Sequence, residues 1–305
     1  VSRIVVVGSL NADLVVQVPR LPGPGETVGG SELTVLPGGK GANQAAAAGR
    51  LGGDVALLGL VGDDPHGRLL LDAAESAGVD TRAVTRLPGV ATGTAVIAVD
   101  AAGENTIIVS PGANGHLDPA HLDAGLLGAA GVLCLCLEVP QQTVLAAARL
   151  ARGSGAAVVL NLSPSAPVPA ELLALTDVLL VNDHEAADLL GPDVVAAGWP
   201  AVGEALAVRG VTRAVVTLGP RGAVVLEPSA AGTHRVVEVP AVPVEAVDTT
   251  GCGDAFTGAL ATRLAAGASL VDAARFAAQV GAVAATRRGA QSSYPTLAEV
   301  GAAAG

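Results

Sequence analysis

The chain has 305 residues, a formal net charge of −11 and a hydrophobic fraction of 50%, with aromatic residues at only 1%. That acidity excludes broad contact with nucleic acid or an anionic membrane surface and leaves room for a local phosphate pocket. The longest apolar run, roughly 124–137, is too short to span a bilayer, and three cysteines make no disulfide framework, which points to a reducing cytoplasm.

The chain opens on a strand, RIVVVG (3–8). In GSLNADLV, which follows, Asn11 and Asp13 are two residues apart and share one face of an extended chain, where they can grip neighbouring hydroxyls. A plain Asn/Asp turn is the alternative. Residues 12–39 hold strand-like pieces, Pro and Gly but little helix. Residues 92–110 read as a hairpin around DAAGEN. The two segments predict a small β subdomain at one edge, acting as a lid, since loops of that length are uncommon unless functional. Where the first of these segments ends, PGGKGANQAAAAGR (37–50) enters a helix through Gly38, Gly39 and Gly41, with Lys40 and Asn43 as donors. Alone that is a weak signal.

Beyond it, strands at 55–62, 131–137, 156–162, 177–182 and 213–219 alternate with helices at 65–78, 140–155 and 185–191. Such alternation implies a single α/β domain whose parallel sheet is covered by helices on both faces. Glu138 ends the third strand, where ligands gather in open α/β sheets. Asn182 and Glu185, three apart in VNDHEAADLL, are expected on one helical face. LGPRG leaves the 213–219 strand through Gly219 and Gly222. From Gly253 on, the pattern is mostly helical.

The densest chemistry lies in AVDTTGCGDAFTGAL (246–260). Gly251 and Gly253 free the backbone just where a helix begins, and a helix start presents unpaired N–H groups and the positive end of a dipole. This suits an anion. Asp254 beside such a site is poor for binding phosphate, but it makes sense as a proton acceptor while the amides hold charge on a transferred phosphoryl group. An acidic residue simply favoured by the helix dipole is the plainer reading of the same residues. The chain has no G-x-x-x-x-G-K-[ST], no G-x-G-x-x-G after its first strand, and neither H-E-x-x-H nor paired C-x-x-C.

In order, GSLNAD, PGETV, GGKGANQA, GDDPHG, LEVP, NDHEA, TLGPRG, DTTGCGDAFTGAL and TRRGAQSS resemble the ribokinase or PfkB family of carbohydrate kinases over nearly the whole chain. LNAD with GGKGANQA is the pairing that sets ribose-type members apart from fructokinase-like and adenosine-kinase-like ones. The resemblance implies a three-layer α/β/α sandwich with a mostly parallel sheet and a small β-sheet lid that also forms a homodimer contact. It implies Mg²⁺-ATP-dependent phosphorylation of the 5-hydroxyl of D-ribose, with K⁺ as activating cation. By this likeness Asp254 is the catalytic base, and the amides of Gly251, Cys252 and Gly253 form the anion hole. Asn11, Asp13, Gly39, Lys40, Asn43, Glu138 and Asp254 bind the sugar. Asn182, the turn Thr217, Leu218, Gly219, Pro220, Arg221 and Gly222, together with Gly253, Asp254 and Ala278, bind the nucleotide. Glu185 supports the Mg²⁺–phosphate network. Asp248, Thr250, Ala284, Arg287, Gly289 and Ser293 hold the monovalent cation. A kinase for deoxyribose or a nucleoside, or a non-catalytic sensor on the same fold, are the alternatives.

The five histidines, His66, His116, His121, His184 and His234, read as surface or structural. Cys134 and Cys136 share a strand face and read as core. Cys252, at a helix start where thiol pKa values can fall, is expected to react faster than either and to be shielded by ATP.

Overall fold

The computed structural model describes residues 2–229 and 234–303. Thirteen strands are found among them: β1 (Ile4–Val7), β2 (Asn11–Gln17), β3 (Thr34–Gly38), β4 (Val55–Gly62), β5 (Val79–Leu87), β6 (Gly93–Val99), β7 (Asn105–Ser110), β8 (Val132–Leu135), β9 (Ala157–Asn161), β10 (Val178–Asn182), β11 (Ala214–Thr217), β12 (Ala223–Pro228) and β13 (His234–Val239). Nine of them form one sheet in the order β13-β12-β11-β10-β9-β8-β1-β4-β5. From β11 through β5 every pairing is parallel, and only β12 and β13 add antiparallel partners. The runs of Val, Leu and Ile in β1, β4 and β8 are buried along their whole length, as strands covered on both faces must be.

Alternation along each strand divides the core in two. Ile4, Val6, Val55 and Leu57 face a layer made by the helices Lys40–Arg50, Pro65–Ser76, Cys252–Ala265 and Leu270–Ala285. Val5, Val7, Leu58 and Leu60 face the helices Gln141–Gly153, Asp183–Leu190 and Trp199–Val208. The result is the three-layer sandwich expected from the pattern. With so few aromatics, the first layer closes through alanine: Ala46, Ala47, Ala255, Ala259, Ala273 and Ala277 are all buried there. The apolar run near 124–137 resolves into a short helix, Ala124–Gly128, leading into β8.

Four strands form a second sheet in the order β3-β2-β6-β7. Here β2 pairs antiparallel with β3 but parallel with β6, from Asn11↔Gly93 to Gln17↔Val99. β2 starts four residues after β1 ends, so the second sheet grows directly out of the carboxyl end of a central strand.

Strand β1 is the pivot of the topology. The chain runs outward from it through β4 to β5, then returns to its other side at β8. The strand order reverses between β1 and β8, and a crevice opens at that point, outside the carboxyl ends of the strands. The backbone exiting β1 touches the first turn of the Lys40–Arg50 helix: a Cβ on Gly41 would lie 2.6 Å from the Gly8 backbone. Gly41→Ala is therefore expected to destabilise the fold by about 1–3 kcal/mol, read as a lower urea midpoint at unchanged m. Unaltered stability would mean that this contact yields freely.

Candidate active site

Asp254 lies in the first turn of the Cys252–Ala265 helix and is 6% exposed. The preceding cap residue, Gly251, has φ +73, and a Cβ there would stand 2.5 Å from the Tyr294 hydroxyl and 2.8 Å from Ala290 Cβ. Only glycine satisfies both the left-handed backbone and that contact. Among the described residues no side chain caps this helix start. Of the three amides expected to hold an anion, that of Cys252 already donates to the Thr249 carbonyl at 3.2 Å. Gly251 and Gly253 remain the amides with no such bond among the described residues.

The Asp254 carboxylate accepts from Asn43 Nδ2 at 3.0 Å on one oxygen and from Gln44 Nε2 at 3.1 Å on the other. Asn43 Oδ1 in turn accepts from Gln291 Nε2 at 3.1 Å. Across the crevice, Glu138 lies just past β8 and accepts from Ser9 Oγ at 2.5 Å and from the Lys40 amide at 3.0 Å. It does not cap the helix that follows, whose cap residue is Pro140. Asn11 Oδ1 accepts from Asn114 Nδ2 at 2.8 Å, and the same Asn114 side chain pairs with the Leu10 backbone in both directions. Asn11 thus begins β2 with its side chain fixed from the far side.

Charge is crowded here. Burial, then the charges of Glu138 and Asp254, push the Asp13 carboxyl up to about 7. Burial opposes the Lys40 ammonium, but Asp254 and Glu138, with smaller shares from Cys136 and Glu185, outweigh it and raise its pKa. Lys40 therefore sits among the carboxylates of one strand end, Glu138, and two helix starts, Asp254 and Glu185. It is the one lysine in the chain, against sixteen arginines.

Farther along the same sheet edge, Asn182 and Thr217 are paired neighbours at the ends of β10 and β11. Asn182 is not on a helical face with Glu185, contrary to the spacing argument. It is the extended cap residue of the Asp183–Leu190 helix: Asn182 Oδ1 accepts the Glu185 amide at 2.7 Å, and Glu185 Oε2 accepts the Asn182 amide at 2.8 Å. The reciprocal bonds form a capping box. Pro220 and Arg221 lie in a one-turn helix, Gly219–Arg221, and the turn is closed by Leu218 N–H on the Gly222 carbonyl at 2.8 Å. Arg221 reaches Asp183 at 2.8 Å and joins the two strand ends. Ala278 is half-buried on the Leu270–Ala285 helix.

The six residues expected around a monovalent cation fall in two segments that are stitched together. Asp248 accepts from the Thr250 amide at 2.9 Å and the Gly289 amide at 2.8 Å. Burial disfavours its charge, yet the bonds from Thr250 and Gly289 hold its carboxyl below the ordinary range. The Ala284 carbonyl accepts the Arg287 amide, and Ser293 closes the Gln291–Ser293 turn on the Ala290 carbonyl.

Cys252 departs from the expectation of a lowered thiol pKa. Burial, then the charges of Asp248 and Asp254, push its thiol up to about 11. It is still the most exposed of the three cysteines, since Cys134 and Cys136 are buried and pushed up to about 12. Ser9, Gln44, Asn114, Gln291 and Tyr294 were not singled out from sequence. Ser9, Gln44 and Gln291 lie inside quoted motifs. Asn114 meets Leu10 across 104 residues, a pairing that local pattern does not reveal.

Residues 1–297 match the family model described as pfkB family carbohydrate kinase. The ribokinase of Haemophilus influenzae is 37% identical over 303 residues, covering 98% of this chain and 97% of that protein. The crystal structure of a ribokinase from Thermotoga maritima superposes with a TM-score of 0.90 at 33% identity, covering 100% of this chain and 99% of its own. The Arabidopsis thaliana ribokinase complexed with ribose and ATP gives 0.90 at 32% identity, covering 99% and 98%.

The crowding at Asp13 makes stability depend on pH. Between about 4 and about 7 the folded protein keeps a proton on Asp13 that the unfolded chain has released, so stability falls as pH rises through that window. Asp13→Asn removes the penalty. It is expected to gain about 1–2 kcal/mol at pH 8 and nothing at pH 4, read by thermal unfolding at both values. An equal gain at both would show that the charge of Asp13 is not the cause.

Proposed function

The chain belongs to the pfkB family of carbohydrate kinases, and we propose that its reaction is transfer of the γ-phosphoryl group of ATP to the 5-hydroxyl of D-ribose. The observation that carries this reading is Asp254, a buried carboxylate on the first turn of a glycine-started helix, beside Lys40 and Asn43 and across from Glu138. Ribose as the acceptor is supported by the relatives named above and by the likeness to the complex with ribose and ATP.

Asn11, Asp13, Lys40, Asn43 and Glu138, with the Gly39 backbone, grip the sugar hydroxyls and aim the 5-hydroxyl at Asp254. That oxygen gives its proton to Asp254, forms a bond to the γ-phosphorus, and the bond from phosphorus to the β-phosphate bridging oxygen breaks to release ADP. The Gly251 and Gly253 amides and the helix dipole meet the charge that develops. The nucleotide lies along the edge built by Asn182, Thr217–Gly222 and Ala278.

Among the described residues no three His, Cys, Asp or Glu side chains gather to hold a metal. A divalent cation therefore fits as one carried by the nucleotide phosphates and water, with Glu185 behind it, and Mg²⁺ has that habit. When bound it neutralises phosphate charge. The ionised Asp248 and the carbonyl-rich turns around Thr250, Ala284, Arg287, Gly289 and Ser293 suit a large monovalent cation such as K⁺. The β3-β2-β6-β7 sheet acts as a lid over the sugar, and its exposed Ile107, Ile108 and Val109 form a homodimer contact. None of the described helices is long and apolar enough to cross a membrane, and three free thiols suit the cytoplasm.

ADP release with Mg-ATP tests the acceptor. D-ribose is expected to exceed 2-deoxy-D-ribose, D-fructose and adenosine by tenfold or more in kcat/KM, with activity lost when Na⁺ replaces K⁺. Preference for another acceptor overturns the sugar assignment. Asp254→Asn is expected to lower kcat by about 10²–10⁴ with ribose and ATP binding retained in calorimetry; turnover within tenfold of the parent rejects Asp254 as the base. Ile108→Lys is expected to convert the dimer to a monomer in light scattering, and an unchanged mass rules out contact through the lid.

A further inference from the structure

Gln44 is fully buried on the Lys40–Arg50 helix. Its Nε2 donates to Asp254 Oδ1 at 3.1 Å, while its Oε1 has no partner among the described residues. A buried amide with an orphaned oxygen is a poor choice for packing, because an apolar side chain of similar shape would leave nothing unpaired. What the amide supplies, and an apolar side chain would not, is one N–H on one oxygen of Asp254. The other oxygen is served through a two-step arm. Gln291, 9% exposed, donates to Asn43 Oδ1, which leaves the Asn43 amide nitrogen turned toward Asp254 Oδ2. The same turn carries Tyr294, whose hydroxyl donates to the Gly251 carbonyl at 3.2 Å. One short segment, 291–294, thus touches both the cap residue of the Asp254 helix and the chain of amides leading to Asp254.

An ionised carboxylate offers about four acceptor positions. Two neutral amide donors occupy two of them and leave the others free for a substrate hydroxyl. They also hold the carboxylate plane against rotation, without adding a cation that would compete for the proton. Two further carboxylates press on the same space, those of Glu138 and Asp13, and the only ammonium is that of Lys40.

We propose that Gln44 and Gln291 are positioning residues for the phosphoryl transfer, holding the Asp254 carboxylate from both sides through two amide arms. The proposal rests on the reading of Asp254 as the base. Gln44→Met keeps the shape and removes the donor. It is expected to lower kcat 10- to 100-fold, with the dissociation constants for ribose and for a non-hydrolysable ATP analogue within twofold of the parent and the melting temperature little changed. Gln291→Leu breaks the longer arm and is expected to lower kcat 3- to 10-fold with the same binding.

Gln44→Glu separates positioning from packing. A protonated glutamic acid donates one O–H and an ionised one donates nothing. The variant is therefore expected to work best at acid pH and to lose kcat as that group ionises, a limb absent from the parent. Three results overturn the proposal: kcat within twofold of the parent in Gln44→Met while Asp254→Asn is inactive; a fall in stability and binding that accounts for the whole loss; or a Gln44→Glu profile of the parent's shape. If Asp254→Asn itself turns over normally, the reading of the base fails first, and the two failures are told apart.

Discussion

Three carboxylates and one ammonium share the crevice where the strand order reverses, and the site depends on keeping them together without collapse or expulsion. Each carboxylate is accommodated differently. Glu138 accepts the Ser9 hydroxyl and the Lys40 amide, and Asp254 accepts two side-chain amides. Among the described residues Asp13 receives no comparable donor, and it is the carboxyl whose pKa climbs to about 7. Burial first, and then repulsion from Glu138 and Asp254, thus fall on one group at the start of the second sheet. An arriving polyol would supply Asp13 with the donors it lacks, so the strained member of the cluster is also the one with most to gain from ligand binding.

The topology makes this cluster possible. β1 and β8 are parallel neighbours joined only through a long excursion of the chain, so Ser9 and Glu138 meet although 129 residues separate them. β2 departs immediately from β1 and carries Asn11 and Asp13 upward, while the Lys40–Arg50 helix drops back against the same strand end at the Gly8–Gly41 contact. Small residues are what permit such close approach. With an aromatic fraction of 1% and a helical layer built on alanine, the Asp254 helix lies near enough for adjacent amides of the neighbouring helix to reach it.

Much of this was legible beforehand because the signals were local. Val-rich runs buried on both faces, spaced by Ala-rich helices, give a parallel sandwich. DTTGCGDAF places Asp254 behind a glycine-started helix on physical grounds, and the ordered motifs name the family. The polar-alternating β5 escapes such a pattern, since VDTRAVTRL carries arginines and an aspartate along an edge strand. N-x-x-E has helical spacing and suggests a shared helical face for Asn182 and Glu185, but a capping box has the same spacing and only backbone geometry separates the two. The thiol of Cys252 departs from expectation because a helix start is visible in sequence, whereas burial, the largest cause of its raised pKa, is not. Asn114 lies outside every quoted motif and meets Leu10 across 104 residues, whereas Gln291 lies inside TRRGAQSS but nothing local reveals its bond to Asn43.

A chain of net charge −11 that accepts a polyphosphate must find its positive potential somewhere other than bulk composition. Its cationic side chains are sixteen arginines and one lysine, and many of the arginines are tied to surface carboxylates, as in Arg82–Asp80, Arg149–Glu171 and Arg152–Asp177. At the Asp254 end of the crevice the positive groups are instead the Lys40 ammonium, the Gly251 and Gly253 amides and a helix dipole. These differ from arginine in one respect that matters for transfer. A guanidinium presents a flat fork that binds reactant and product phosphate alike, whereas fixed amides at a helix start favour charge at one place. Had Lys40 been arginine, its fork would have competed for the carboxylates of Glu138 and Asp254. A compact ammonium can balance their charge while leaving their oxygens free for hydroxyl protons, which is reason enough for the chain to keep its single lysine there.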